Sequence, residues 1–220
     1  MDKNKKAIIF DLDGVIVDTA KFHFLAWQNL AKKLGINFTA EDNEQLKGVS
    51  RVKSLQKILE WGNKEISEQE FKQLMHDKNE EYLTYVDQMT TSDILPKVKD
   101  TLDYLKVNNY PIALGSASKN AKRILKHVDL LTYFDAIVDG NEVTKAKPNP
   151  EVFLKAAELL KAQPKHAIVF EDSLSGIEAA NTAQMLSIGI GDENILKEAN
   201  YVFKDFEDMG LAKFKEILNE

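Results

Sequence analysis

Apolar and polar positions along the chain alternate between two periods. Short continuous apolar runs occur at Ala7–Phe10, Pro111–Leu114, Ala136–Val138, Ala167–Phe170 and Leu186–Ile190. Their length and continuity predict strands buried on both faces. Val202 and Phe203 predict a weaker edge strand. Between these runs the apolar positions fall at helical spacing. Val98, Leu102 and Leu105 follow Pro96, and Ile124, Leu125 and Val128 follow the "SASKN" stretch. Val152, Phe153, Ala156 and Leu160 follow "NPE", where Asn149 is the expected N-cap and Pro150 the first helical residue.

Alternating strands and helices predict an α/β fold, a Rossmann-like, doubly wound parallel sheet covered by helices on both faces. One segment breaks the alternation. From Thr19 to Met89 the pattern is helical throughout. Phe24, Trp27, Ala31 and Leu34 share a face that Gly35 closes as a C-cap, and Ser54, Leu55, Ile58, Leu59 and Trp61 share another. Ser67 and Glu70 form a capping box ahead of Phe71, Leu74 and Met75. The expected division is therefore a core of residues 1–18 and 90–220, with 19–89 inserted as a helical cap. Ligands of open parallel sheets bind beyond the carboxyl ends of the strands. A cap leaving the chain just after Asp13 is expected over that crevice.

The polar residues after each strand carry the candidate chemistry. The first run ends in Asp11-Leu12-Asp13-Gly14, the second in Gly115-Ser116-Ala117-Ser118-Lys119-Asn120. Lys145-Ala146-Lys147-Pro148 follows the third, and Glu171-Asp172-Ser173 ends the fourth. In a parallel sheet these ends meet at one edge. There they offer carboxylates for a hard cation, a hydroxyl and helix-terminal amides for an anion, and a lysine to balance charge. Such a set suits phosphoryl transfer. Asp11 is placed to attack phosphorus, and Asp13, at strand period two, to protonate the leaving oxygen and then deprotonate the next acceptor. Gly14 permits the sharp turn that follows.

Composition narrows the partners. The chain has 220 residues, no cysteine, and 29 Lys+Arg against 35 Asp+Glu, a net charge of −6. Thiolate metal sites, disulfides and cysteine nucleophiles are excluded, and the acidic balance argues against nucleic acid and anionic membranes as partners. A small-molecule substrate remains. The first apolar run is too short for a signal peptide or a membrane span, so a cytoplasmic location is expected.

The stretches "FDLDGV", "GSASKN", "KAKP" and "FEDS" resemble, in order, the four motifs of the haloacid dehalogenase superfamily. Within it, "FHFLAW", "NEQLKGVSR", "SLQKIL" and "DKN" in the inserted segment resemble the β-phosphoglucomutase branch. The resemblance implies an enzyme that acts as a monomer. It would interconvert β-glucose 1-phosphate and glucose 6-phosphate, with Mg²⁺ and a glucose 1,6-bisphosphate intermediate. It implies Asp11 as nucleophile and Asp13 as general acid/base. Mg²⁺ would be held by Asp11, the Asp13 carbonyl and Asp172, with Glu171 in or beside the shell. Ser116 and Lys147 would grip the transferring phosphate. Gly48, Val49, Arg51, Ser118, Lys119 and Asn120 would hold the sugar and its distal phosphate, with Trp27, Ser54, Lys78 and Ala117 completing the substrate set. Thr19, His23 and Lys47 would align Asp13 and substrate. Asn149 and Glu151 depart from the usual loop pattern.

Local readings compete with these roles. Asp-x-Asp-Gly alone is a turn, and as a calcium loop it fails, because Val15 and Phe22 stand where an acid or amide and the closing Glu belong. His23, one turn before Trp27, reads alone as a packed histidine, and Lys47 and Arg51 as solvated charges. Two rival functions stay open: a sugar-phosphate phosphatase, in which water accepts the phosphoryl group, and a receiver that is phosphorylated without turnover.

Overall fold

The computed structural model describes residues 5–46 and 49–219. In chain order the elements are β1 (Ala7–Phe10), α1 (Ala20–Lys33), α2 (Ala40–Glu44), α3 (Arg51–Trp61), α4 (Glu68–Val86) and α5 (Val98–Val107). Then come β2 (Ile112–Gly115), α6 (Ala121–His127), β3 (Ala136–Val138), α7 (Glu151–Leu159) and β4 (Ala167–Glu171). The chain ends with α8 (Leu174–Thr182), β5 (Leu186–Ile190), β6 (Tyr201–Phe203) and α9 (Phe206–Asn219). Two compact units result: residues 1–18 with 90–220, and Thr19–Met89. No helix among the described residues is long and apolar enough to cross a membrane.

The first unit is built on a six-stranded sheet, in order β3-β2-β1-β4-β5-β6, and every pairing is parallel. The order reverses at β1, so the crevice between the ends of β1 and its neighbours is the topological switch point where such sheets take ligands. Strand period two sorts the side chains. Ala7 and Ile9 of β1 and Ala167 and Val169 of β4 join one buried cluster with Phe153 and Ala156 of α7 and Ala179 and Ala180 of α8. Phe10 and Phe170 point the other way. Their rings stack at 4.9 Å and meet Phe206 and Phe214 of α9. Each such ring, fully buried, contributes about 1.5–3 kcal/mol. Both faces are thus covered, as the continuous apolar runs predict. The chain leaves this unit after a tight turn in which the Gly14 N–H donates to the Val17 carbonyl, and it returns beside that point, where Val17 bridges Ile94.

The second unit is helical, with Trp27, Leu30, Ala31, Leu55, Ile58 and Leu59 in its core. Its capping box holds: Ser67 accepts from the Glu70 N–H and the Glu70 carboxylate accepts from the Ser67 N–H. Two local expectations shift, at the ends of α1 and α7. Leu34 is the cap residue of α1, and Gly35 lies one position beyond it at φ 71°, the left-handed conformation that ends a helix cheaply only at glycine. The third helix begins at Arg51, three residues before Ser54, because Ser50 accepts the Lys53 N–H and caps it there. The N-cap of α7 is Pro150 and its first helical residue is Glu151, because the Pro150 carbonyl already accepts from Phe153 and Leu154. Asn149 still caps by side chain, its Oδ1 accepting the Glu151 N–H at 3.1 Å.

Candidate active site

Asp11 and Glu171 come together because of strand register. Ile9 pairs with Val169, and Phe10 with Phe170. Two residues on from the Ile9–Val169 pair, Asp11 and Glu171 therefore leave two neighbouring strands toward the face that α7 covers. Lys147 sits in the loop that leads into α7. Its Nζ contacts both Asp11 Oδ1 and Glu171 Oε1, and it lies 4.7 Å from the centre of the Phe153 ring. All three charged groups are buried.

The charges are out of balance there. Burial pushes the Asp11 carboxyl up to about 7; Lys147 pulls against this, and the Glu171 and Asp13 carboxylates add to it. For Lys147, burial works against the charge, but Asp11 and Glu171 outweigh it and raise the ammonium above its usual value. The second oxygen of Glu171 accepts from the Ser173 N–H at 2.7 Å and its hydroxyl at 2.9 Å. Ser173 in turn caps α8 through the Gly176 N–H. A β-carbon on Gly176 would lie 1.8 Å from Glu171 Oε1, so the helix start has to be bare for the carboxylate to fit.

Ser116 follows β2, the other neighbour of β1. It is buried, its N–H donates to the Val138 carbonyl, and its hydroxyl accepts the Ser118 N–H at 3.0 Å. The Ser118 hydroxyl accepts the Asn120 N–H at 3.3 Å, winding Ser116 to Asn120 into a turn with Ala117 and Lys119 between. That turn is braced from behind: the Gly140 N–H donates to the Ser118 carbonyl and the Asn141 amide to the Lys119 carbonyl.

Asp172 lies against the turn that carries Asp13. A β-carbon on Gly14 would fall 2.1 Å from Asp172 Oδ2, and Gly14 has φ +77°. The carboxylates of Asp11 and Asp172 and the backbone carbonyl of Asp13 are hard oxygen donors, the chemical type that suits Mg²⁺. No three His, Asp or Glu side chains among the described residues converge as a ready-made metal site. A set that includes a backbone carbonyl does not require that. Glu171, expected in or beside the metal shell, is here the second partner of Lys147.

Other candidate residues meet inside the helical unit. Lys78 is buried, its Nζ 2.8 Å from His23 Nδ1 and 4.5 Å from the centre of the Trp27 ring. Burial, then the Lys78 and Arg51 charges, hold His23 well below its usual value, so it is neutral. The Thr19 carbonyl accepts from Phe22 and His23 at the start of α1. Ser54 is buried, Arg51 is half-buried in the first turn of α3, and the Val49 N–H donates to Leu46. Lys47 and Gly48 lie outside the described residues. Sequence reasoning missed Tyr82, which stacks on His23 at 4.2 Å; its signal was the four-residue spacing from Lys78. It also missed Phe153 and Ser173, which act on the site through Lys147 and Glu171.

Comparison with known proteins extends this picture. β-Phosphoglucomutase of Bacillus subtilis (strain 168) is 41% identical over 217 residues, 98% of this chain and 94% of that protein. A phosphorylated carbohydrates phosphatase of Thermotoga maritima is 32% identical over 224 residues, 97% of each. The crystal structure of β-phosphoglucomutase from Clostridium difficile superposes with a TM-score of 0.93 at 43% identity, covering 98% of this chain and 97% of that one. The sequence profile of the haloacid dehalogenase-like hydrolases matches residues 8–190, and the chain belongs to that family.

Proposed function

We propose that this protein is a Mg²⁺-dependent β-phosphoglucomutase, interconverting β-glucose 1-phosphate and glucose 6-phosphate through a 1,6-bisphosphate. The similarity that carries this reading is the 41% identity to the Bacillus enzyme, because it runs through residues 19–89 as well as the sheet-bearing unit. The phosphatase relative at 32% keeps hydrolysis as the second reading.

In this reading Asp11 attacks phosphorus: one Oδ–P bond forms, the bond from phosphorus to the sugar oxygen breaks, and Asp13 gives that oxygen its proton. In the second half Asp13 takes the proton from the accepting hydroxyl, which attacks the aspartyl-phosphate and frees Asp11. Lys147 and Ser116 grip the phosphoryl oxygens. Mg²⁺, held by Asp11, the Asp13 carbonyl and Asp172 with Glu171 beside them, would neutralise the charge between carboxylate and phosphate. Ser118, Lys119, Asn120 and Arg51 are assigned to the sugar and the second phosphate. Thr19 and His23 are assigned to alignment, with Trp27, Val49, Ser54 and Lys78 at the sugar.

The test is to supply β-glucose 1-phosphate with Mg²⁺ and a trace of β-glucose 1,6-bisphosphate. Glucose 6-phosphate as main product supports the mutase. Stoichiometric free glucose and inorganic phosphate would favour the phosphatase.

A further inference from the structure

We propose that Glu151 is a positioning residue for Lys147: its carboxylate draws the 144–151 loop together and so aims the Lys147 ammonium at Asp11 and Glu171. This rests on the role assigned to Lys147 above.

The Thr144 N–H donates to both oxygens of Glu151 at 3.1 Å, the Thr144 hydroxyl at 2.9 Å and the Lys145 N–H at 2.8 Å. Lys155, one helical turn on, pairs with it at 2.7 Å. On the far side of Lys147, Asn149 accepts the Glu151 N–H at 3.1 Å and donates its own N–H to the Ala146 carbonyl at 3.1 Å. The backbone is therefore held on both sides of Lys147. A lysine alone is a point charge on a flexible stem, so its aim depends on where its Cα is fixed.

Only a carboxylate suits the clamp. It offers about four acceptor sites, and its bonds to N–H groups are charge-assisted. Lys155, followed by the Thr144 and Lys145 amides, holds Glu151 down to about 2, so it stays ionised at any working pH. As the first residue of α7 it also faces the favourable end of the helix dipole. A helix-end acid with no further role would contribute to stability alone. Glu151 instead ties the helix start to the residues just before Lys147.

The experiment is a double-mutant cycle on single-turnover phosphorylation of Asp11 by acetyl phosphate, in which the Asp11 O–P bond forms and acetate leaves. Glu151→Ala should slow this step about 10–100-fold, since small misplacements of a catalytic group cost on that order. Within a Lys147→Ala background, itself slow, Glu151→Ala should cost nothing further. Hydrogen exchange should show the Thr144 and Lys145 amides losing protection. If Glu151→Ala does not fold, Glu151→Gln carries the same cycle with a smaller loss. Independent, multiplying losses, or a wild-type rate for the Glu151 variant, would overturn the proposal while leaving Lys147's role intact. A wild-type rate for Lys147→Ala would overturn the reading on which it rests.

Discussion

Gly14 makes room for Asp172: a β-carbon at Gly14 would stand 2.1 Å from Asp172 Oδ2, where no real contact is tolerated. The glycine in Asp-x-Asp-Gly therefore does more than turn the chain at φ +77°. It lets a carboxylate from the end of β4 reach the backbone at the end of β1. Gly14→Ala should weaken Mg²⁺ binding about 10–100-fold, as when a metal ligand loses its support. Gly35, at φ +71° with nothing within 4 Å, is the control. Gly35→Ala should cost similar backbone strain and leave Mg²⁺ affinity unchanged. Equal affinities for wild type and Gly14→Ala in a Mg²⁺ titration would contradict the assignment of Asp172.

The Asp11 carboxyl sets a pH dependence whose sign is fixed by its shift. Its value rises from 3.8 to about 7 on folding, chiefly through burial. Its contribution to stability without metal is thus fully present below about 3.8 and is lost as pH rises through about 7. Melts in EDTA should show this slope in wild type and lose it in Asp11→Asn. Mg²⁺ held by Asp11 as proposed would displace the same proton, so binding at pH 6 should release more of it than binding at pH 8. Calorimetry in buffers of different ionisation enthalpy measures that release. Equal release at both pH values would contradict the shift.

Asp13→Asn should lower turnover by roughly 10²–10⁴, the usual worth of a general acid/base. Its backbone carbonyl survives the change, so Mg²⁺ affinity should fall little. Parallel loss of metal binding and rate would make Asp13 a structural residue.

Arg51→Ala should separate two reactions. Arginine binds phosphate oxygens in pairs and stays charged, which suits the second phosphate of the bisphosphate. Removing a charge-assisted contact costs about 1.5–3 kcal/mol, or roughly 10- to 150-fold in isomerisation. Acetyl phosphate has no second phosphate, so its reaction with Asp11 should be nearly unchanged. Equal losses in both reactions would tie Arg51 to folding.

Much of this architecture is legible before any coordinates. The runs 7–10, 136–138 and 186–190 return as strands with unchanged bounds. The Ser67–Glu70 box is equally plain, since every partner lies within four residues. Helices α8 and α9 were missed for physical reasons. The first, LSGIEAANT, is mostly small residues, and the second is broken at Gly210, whose φ of 60° and ψ of 152° leave the helical range. The sequence brings Asp11, Lys147 and Glu171 to one edge but cannot say who pairs with whom. That depends on the register of β1 on β4, a relation between residues 160 positions apart. Glu151 was likewise visible only as an unusual residue until its bonds to Thr144, Lys145 and Lys155 appeared.

If Asp11 carries the phosphoryl group and a sugar hydroxyl receives it, label placed on the enzyme must pass to the sugar phosphate. The direct measurement is to load the enzyme with radiolabelled acetyl phosphate in Mg²⁺, chase with glucose 6-phosphate, and follow the label. Label should leave Asp11 for glucose 1,6-bisphosphate faster than for inorganic phosphate, and Asp11→Asn should take up none. Label released mainly as inorganic phosphate in the presence of the sugar phosphate, or uptake by Asp11→Asn, would contradict transfer through Asp11.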